Sequence, residues 1–485
     1  MNILILGNGF DIAHKLPTKY TDFLAFAKKL LCVYTWHGNL REYIEQHIKT
    51  WNDGHEYLKE QLENIFARRK EQRIPTGELG CYDFIVNVDK KTDAFRNRLV
   101  NNIWFNYISE IYKDNLVRGE NWIDFESEIS FVIQALDRKF ESLEDRFTLE
   151  QLKRDLNAGN SSSKLSKFCD CYRRAENEAI KKAQKDNPEK KIMNIGSGTL
   201  FSLRHLRDRL YDDLEHLILA FEFYLVEFVE KIHPKKLSFV DEIDPSHVIT
   251  FNYTKTFERL YTCIYSPDSF LPHIARICHV HGECNGYPEN ENCEKSSREE
   301  SDEKIVENAK ESDQGNDREI DNDMVIGIDE YWETPEDQSK RTNFAIFKKF
   351  IQRIRKGNKI DYVDWAEEAD SRYKNRRDDF SNVYIFGHSL DVTDKDILEK
   401  FLSTDATYIR IFAKDKASEG ALISNLLMLI GREAIMRKSA AGKIRFYSII
   451  KEEQDEQAHE GCEENEEHKG NKELEVQEDS GTIRR

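Results

Sequence analysis

The hydrophobic rhythm of the chain changes three times. It opens on an unbroken aliphatic run, Ile3-Leu4-Ile5-Leu6, followed at once by Gly7-Asn8-Gly9. A continuous apolar run of that length reads as a strand buried on both faces, and the glycines read as a tight exit that lets backbone N–H groups approach a ligand phosphate. From residue 90 to 235 the apolar positions recur every three or four residues, as in Phe95, Leu99, Ile103, Trp104, Tyr107, Ile108 and Ile111. This spacing predicts long amphipathic helices over Phe95–Ile111, Phe125–Ala135 and Leu206–Ile232. Residues 150–200, rich in Lys, Asn and Ser, read as connectors. After residue 245 short β-branched and aromatic runs appear: Val248–Phe251, Arg276–Val280, Met324–Ile328, Val383–Phe386, Tyr408–Phe412 and Ile444–Tyr447. Helical patterns over Thr256–Cys263, Thr393–Leu402 and Glu419–Ile435 separate several of them, so the pattern predicts an α/β fold with a parallel sheet.

The implied organisation is discontinuous. Residues 1–30 carry the first strand and its Gly-x-Gly loop, 31–240 form a mainly helical insertion, and 241–284 with 323–450 complete the α/β domain. Charge marks the other two segments. Of the net −18, nearly all lies in residues 285–322 and 452–485, so the rest of the body is close to neutral. Both stretches are poor in aromatic and branched aliphatic residues, which predicts a mobile acidic insertion at 285–322 and a disordered acidic tail at 451–485. The acidity therefore says little about the active surface. No basic patch with interleaved aromatics suggests a nucleic-acid surface. No stretch reaches the ~18 consecutive apolar residues of a membrane span. A core strand occupies the position of a signal peptide, and nine cysteines lack framework spacing; both features lead to the expectation of a cytoplasmic protein with reduced thiols.

Candidate chemistry gathers at predicted strand ends, where open parallel sheets bind ligands. The Gly7-Asn8-Gly9-Phe10-Asp11 turn is followed by Leu16-Pro17-Thr18-Lys19-Tyr20-Thr21-Asp22-Phe23. Thr250-Phe251-Asn252-Tyr253-Thr254, His279-Val280-His281-Gly282 and Phe386-Gly387-His388-Ser389-Leu390-Asp391 leave later strands. Each also has a structural explanation, since Asn and Asp cap helices and a His before Gly commonly sits satisfied in a turn. Asp11 is either an electrostatic stabiliser in the pocket or a helix cap. His279 and His281 fall two apart, hence on one strand face, but no third ligand at recognisable spacing joins them, so no metal is expected.

Taken in order, G-N-G-F-D-x-A-H-x-L-P-T-x-Y-x-D-F, T-F-N-Y-T, H-V-H-G and F-G-H-S-L-D-x-T-D closely resemble the bacteriophage abortive infection AbiH family, as does Trp122-Ile123-Asp124-Phe125-Glu126. The resemblance implies a bacterial anti-phage defence protein. The series is also similar to a distant version of the sirtuin-like, Rossmann-like NAD-binding fold. That second resemblance implies that Gly7 and Gly9 contact dinucleotide phosphates and that Asn252 holds the nicotinamide ribose or the attacking water. It further implies that His281 is the general base and that Ser389 bonds the adenosine-side ribose or a phosphate. Asn8, Phe10, Thr250, Gly387 and His388 are expected beside the same ligand, with Asp11 a third catalytic candidate. The four-cysteine zinc module of sirtuin deacetylases is missing after Gly282, which argues against a deacetylase. NAD hydrolysis to nicotinamide and ADP-ribose is the expected activity. A non-catalytic NAD or ADP-ribose sensor and a protein-interaction module are the alternatives, and a phage-derived trigger and self-association are expected partners.

Overall fold

The computed structural model describes residues 1–52, 54–71, 82–156, 162–186, 199–262, 275–285, 322–328 and 343–448. Its strands are β1 (Asn2–Leu6), β2 (Arg146–Thr148), β3 (Leu200–Ser202), β4 (His247–Thr250), β5 (Arg276–His279), β6 (Ser381–Phe386), β7 (Thr407–Ala413) and β8 (Ile444–Ser448). Six of them form one parallel sheet in the order β5-β4-β1-β6-β7-β8, while β2 and β3 pair separately as an antiparallel ribbon. The chain lays β4 and β5 on one side of β1, then crosses to the other side for β6, β7 and β8. Winding thus reverses between β1 and β6.

Period-two alternation sorts the side chains of β1. Ile3 and Ile5 join Ile249, Val383, Ile385, Ile409 and Ile411 beneath helices Tyr362–Asn375, Lys395–Leu402 and Lys416–Ile430. Leu4 and Leu6 face the opposite way, against Phe10, Val240, Ile243, Phe257 and Phe386. All four are fully buried, which is why the run is aliphatic at every position.

Between β1 and β4 the described residues are mostly helical, including α1 (Asn8–Ala13), α2 (Tyr20–Thr35) and the helices Tyr82–Leu99, Ile103–Val117, Phe125–Lys139, Ser162–Asp186 and Leu203–Tyr224. Their apolar stripes meet in one cluster around Phe23, Phe26, Trp104, Tyr107, Phe125 and Phe221. Met324, Ile326, Ile328 and Phe347 also pack there.

Several expectations need correction. The periodicity over 95–111 belongs to two helices, because Asn102 leaves helical geometry and caps the second through the Phe105 amide. Residues 150–200 are not simply connectors, since Ser162–Asp186 is a helix whose Leu165, Phe168, Cys169 and Tyr172 are buried at helical spacing. Residues 324–328 join neither sheet; Ile328 forms an isolated bridge with Lys348. The pattern over 419–435 breaks at Gly431, whose φ of +79° ends one helix and starts the next. The acidic tail, and all of 285–322 except Asn285 and Asn322, lie outside the described residues.

Candidate functional site

Since β1, β4, β5 and β6 run parallel, their carboxyl ends open on the same edge of the sheet, and their exits line a cavity of about 250 Å³. Gly7 and Asn8 come from β1, Phe251 and Asn252 from β4, His281 from beyond β5, and Gly387, His388 and Ser389 from β6. The helical side adds Tyr20, Glu126, Phe221 and Leu225, and the later chain adds Lys349 and Asp394. This is the crevice at the reversal of winding where open α/β sheets take their ligands.

The glycines make the crevice possible by letting two exit loops touch. A Cβ on Gly9 would stand 2.6 Å from Gly387 Cα, and one on Gly7 2.6 Å from His388 Cα. Gly387 itself has φ +71°, and its Cβ would meet the Phe10 nitrogen at 2.1 Å. The Gly7 and Gly9 amides donate to Phe386 and Gly387 carbonyls at 3.1 and 2.8 Å. Both N–H groups are therefore taken by protein partners, and close backbone packing alone requires these glycines.

Among the described residues, three polar atoms at the cavity lack the hydrogen-bond partners that buried groups normally have. Asp11 Oδ2 accepts a 2.6 Å bond from the Thr254 hydroxyl, while Oδ1 is enclosed and unpartnered. Burial raises this carboxyl to about 6. Gly7, not Asp11, occupies the N-cap of α1, so the cap alternative falls away. Asn252 donates its amide N–H to Thr250 Oγ1 at 3.1 Å, and its side-chain Oδ1 is left unpaired. His281 Nε2 lies 3.2 Å from Asp394 Oδ1, close enough for attraction but misaligned for a hydrogen bond. Burial, reinforced by the Lys349 charge, lowers this imidazole to about 4, so it is neutral at neutral pH.

Behind these atoms runs a buried line of charge. Lys349 Nζ reaches Glu126 Oε2 at 2.8 Å and Asp394 Oδ1 at 3.2 Å, and Asp394 Oδ2 faces His388 Nε2 at 3.5 Å. Burial opposes ionisation of all three, yet Lys349 is held well above its usual range and Asp394 well below its own by their mutual attraction. Glu126 is the exception, pushed up to about 7 by burial. His388 Nδ1 accepts the Leu390 N–H at 2.9 Å, which fixes the orientation of its ring. Phe251 stands between the histidines, with ring centroids 4.2 Å from His388 and 5.2 Å from His281.

The fold thus gathers Asp11, Asn252, His281, Gly7, Asn8, Gly387, His388 and Ser389 at one cavity. Asn8 accepts the Thr18 hydroxyl at 2.6 Å, and the Ser389 carbonyl accepts Asn425 Nδ2 at 2.9 Å. Gly9, Phe10 and Thr250 are not among the residues that line the cavity. Phe10 packs into the core below β1, where His14 bridges the Phe10 carbonyl at 2.7 Å and the Tyr261 hydroxyl at 2.8 Å. His279 and His281 do not share a face as expected, because β5 ends at His279 and the chain turns before His281. Sequence reasoning gave no role to Lys349, Glu126, Asp394, Tyr20 or Thr254. All but Lys349 fall inside quoted motifs, so only Lys349 had no signal.

The order of these exits along the chain also has a wider match. A family model described as bacteriophage abortive infection AbiH matches residues 3–414. The chain belongs to the AbiH family. The matched span runs from β1 through β7 and takes in every strand exit that lines the cavity. Membership places the protein in phage abortive infection defence. No curated protein and no solved structure matches the chain. Among the described residues, no helix is long and apolar enough to cross a membrane.

Proposed function

We propose that this AbiH protein binds the nicotinamide–ribose end of NAD in the cavity and hydrolyses it to nicotinamide and ADP-ribose, depleting the cofactor during infection. The observation that carries this reading is the convergence at one cavity of Asp11 Oδ1, Asn252 Oδ1 and His281 Nε2, each buried without a hydrogen-bond partner among the described residues. Counting only its own strands, the sheet runs 3-2-1-4-5-6, the order of Rossmann-like dinucleotide folds, which supports the sirtuin-like comparison. At about 250 Å³ the cavity is below the roughly 300–1,000 Å³ usual for drug-sized ligands, so it suits one end of a dinucleotide rather than the whole.

In this reading the bond between the nicotinamide nitrogen and ribose C1′ breaks with its electron pair leaving on nicotinamide. The Asp11 carboxylate stabilises the positive charge that grows on the ribose, in a site where water screens little. Asn252 Oδ1 accepts a bond from a ribose hydroxyl or the incoming water. His281 takes the proton as the water oxygen bonds to C1′. With the Gly7 and Gly9 amides already engaged, the phosphates rely on the rim at Asn8 and Ser389.

The test is NAD binding by calorimetry together with chromatographic assay of released nicotinamide, on wild type and Asn252→Ala. Release by wild type alone supports the proposal. Binding without release by either protein makes the protein a sensor of NAD-type nucleotides, and absence of both rejects the ligand.

A further inference from the structure

One cluster of ionisable groups plays no part in the cavity. On the other side of the Asn252 backbone, His279 Nε2 lies 2.6 Å from Glu258 Oε1 and 3.9 Å from Glu283 Oε2. The three ligand-capable atoms all fall within 4.8 Å of one another. They come from the helix Thr256–Tyr261, the end of β5 and the turn that follows it.

We propose that Glu258, His279 and Glu283 bind a divalent transition-metal ion of the Zn²⁺ or Mn²⁺ class. His279 is 8% exposed, and its Nδ1 bonds the Asn252 carbonyl at 3.0 Å. That bond leaves Nε2 as the ligating nitrogen, the arrangement by which metal-bound histidines are usually held from behind. Independently, Glu258 Oε2 is enclosed and has no hydrogen-bond partner among the described residues. A simple imidazolium–carboxylate pair would explain the 2.6 Å contact but would leave that oxygen unpaired in a buried place. A cation held by Nε2 and both carboxylates takes the place of the shared proton, and gives Glu258 Oε2 a partner when that carboxylate binds through both oxygens. One imidazole with two carboxylates is a donor set suited to these ions. The glutamate side chains are 25% and 26% exposed, so water can complete the coordination. Lys255 Nζ lies 3.5 Å from Glu283 Oε2, at the edge of the cluster. An ion here would join the helix Thr256–Tyr261, the end of β5 and the turn after it, and would fix the ring whose Nδ1 holds the Asn252 carbonyl, stiffening the backbone that carries that side chain.

The experiment uses the full chain stripped with chelator and then titrated calorimetrically with Zn²⁺, with Co²⁺ absorption as a second readout. The acidic stretches can bind cations loosely, so the decisive quantity is the difference between wild type and Glu283→Gln, a change at a partly exposed position. The expected result is one tight equivalent per wild-type chain, weakened about tenfold or more in Glu283→Gln, on the scale of lost metal-site contacts. His279→Gln, shown folded by circular dichroism, should lose the Co²⁺ ligand-field band. No stoichiometric binding by wild type, or equal binding by a folded Glu283→Gln variant, overturns the proposal.

Discussion

Replacing Asp11 with Asn should stabilise the ligand-free protein while removing the charge on which the proposed hydrolysis relies. Asp11 is buried, one oxygen accepts the Thr254 hydroxyl, and the other has no hydrogen-bond partner among the described residues. Burial lifts its carboxyl from 3.8 to about 6. The folded chain therefore holds this proton more tightly than the unfolded chain does. Because the folded value is the higher one, stability falls as pH rises from about 4 to about 6 and then levels off. A shift of about two units corresponds to about 3 kcal/mol at full ionisation. Asn keeps an acceptor for Thr254 and carries no charge, so the variant escapes this penalty. Wild type and variant should differ little near pH 4, and the variant should be up to about 3 kcal/mol more stable at pH 8. Urea unfolding followed by tryptophan fluorescence from pH 4 to 8 measures the difference. A gap independent of pH, or a variant less stable than wild type at pH 8, would refute the assignment of Asp11 as an uncompensated buried charge.

The neighbouring groups give further expectations. Gly387→Ala places a Cβ 2.1 Å from the Phe10 nitrogen at a φ of +71°, so a loss of roughly 3 kcal/mol or more should appear in thermal melts, before any ligand is added. Lys349→Met leaves Glu126 and Asp394 buried without their cation and should cost about 3–5 kcal/mol, as removing one partner of a buried pair does. Adding Asp394→Leu to it should recover part of that loss, and a double variant no more stable than the single would contradict the ion-pair reading. His14→Phe should lower the melting temperature by breaking the link to Tyr261 yet leave ligand affinity unchanged, since His14 lies outside the cavity.

The first strand was legible because a parallel strand buried on both faces needs aliphatic residues throughout, as Ile3–Leu6 show. The cavity was legible because its residues sit on strand exits, where Asn252, His281 and Gly387–Ser389 stand out against apolar runs. Lys349 was not. A lysine within Lys348-Lys349-Phe350 looks like a surface position, and only Glu126 and Asp394, brought in from distant parts of the chain, make its burial possible. Ser162–Asp186 was hidden for a different reason: its buried stripe is narrow among many charged residues, so average polarity outweighed spacing. The Gly-x-Gly turn shows a third limit. Sequence cannot separate a glycine that admits a phosphate from one that admits another loop, and at Gly7 and Gly9 the neighbour is the Gly387–His388 backbone.

The central claim is that Asn252 serves an NAD-cleaving cavity in a defence protein. It is tested most directly by quantifying cellular NAD, nicotinamide and ADP-ribose after phage challenge in cells expressing wild type or Asn252→Ala at matched levels. The account predicts a fall in NAD with a rise in both products for wild type only, together with loss of protection in the variant. Protection by wild type with NAD unchanged would contradict it.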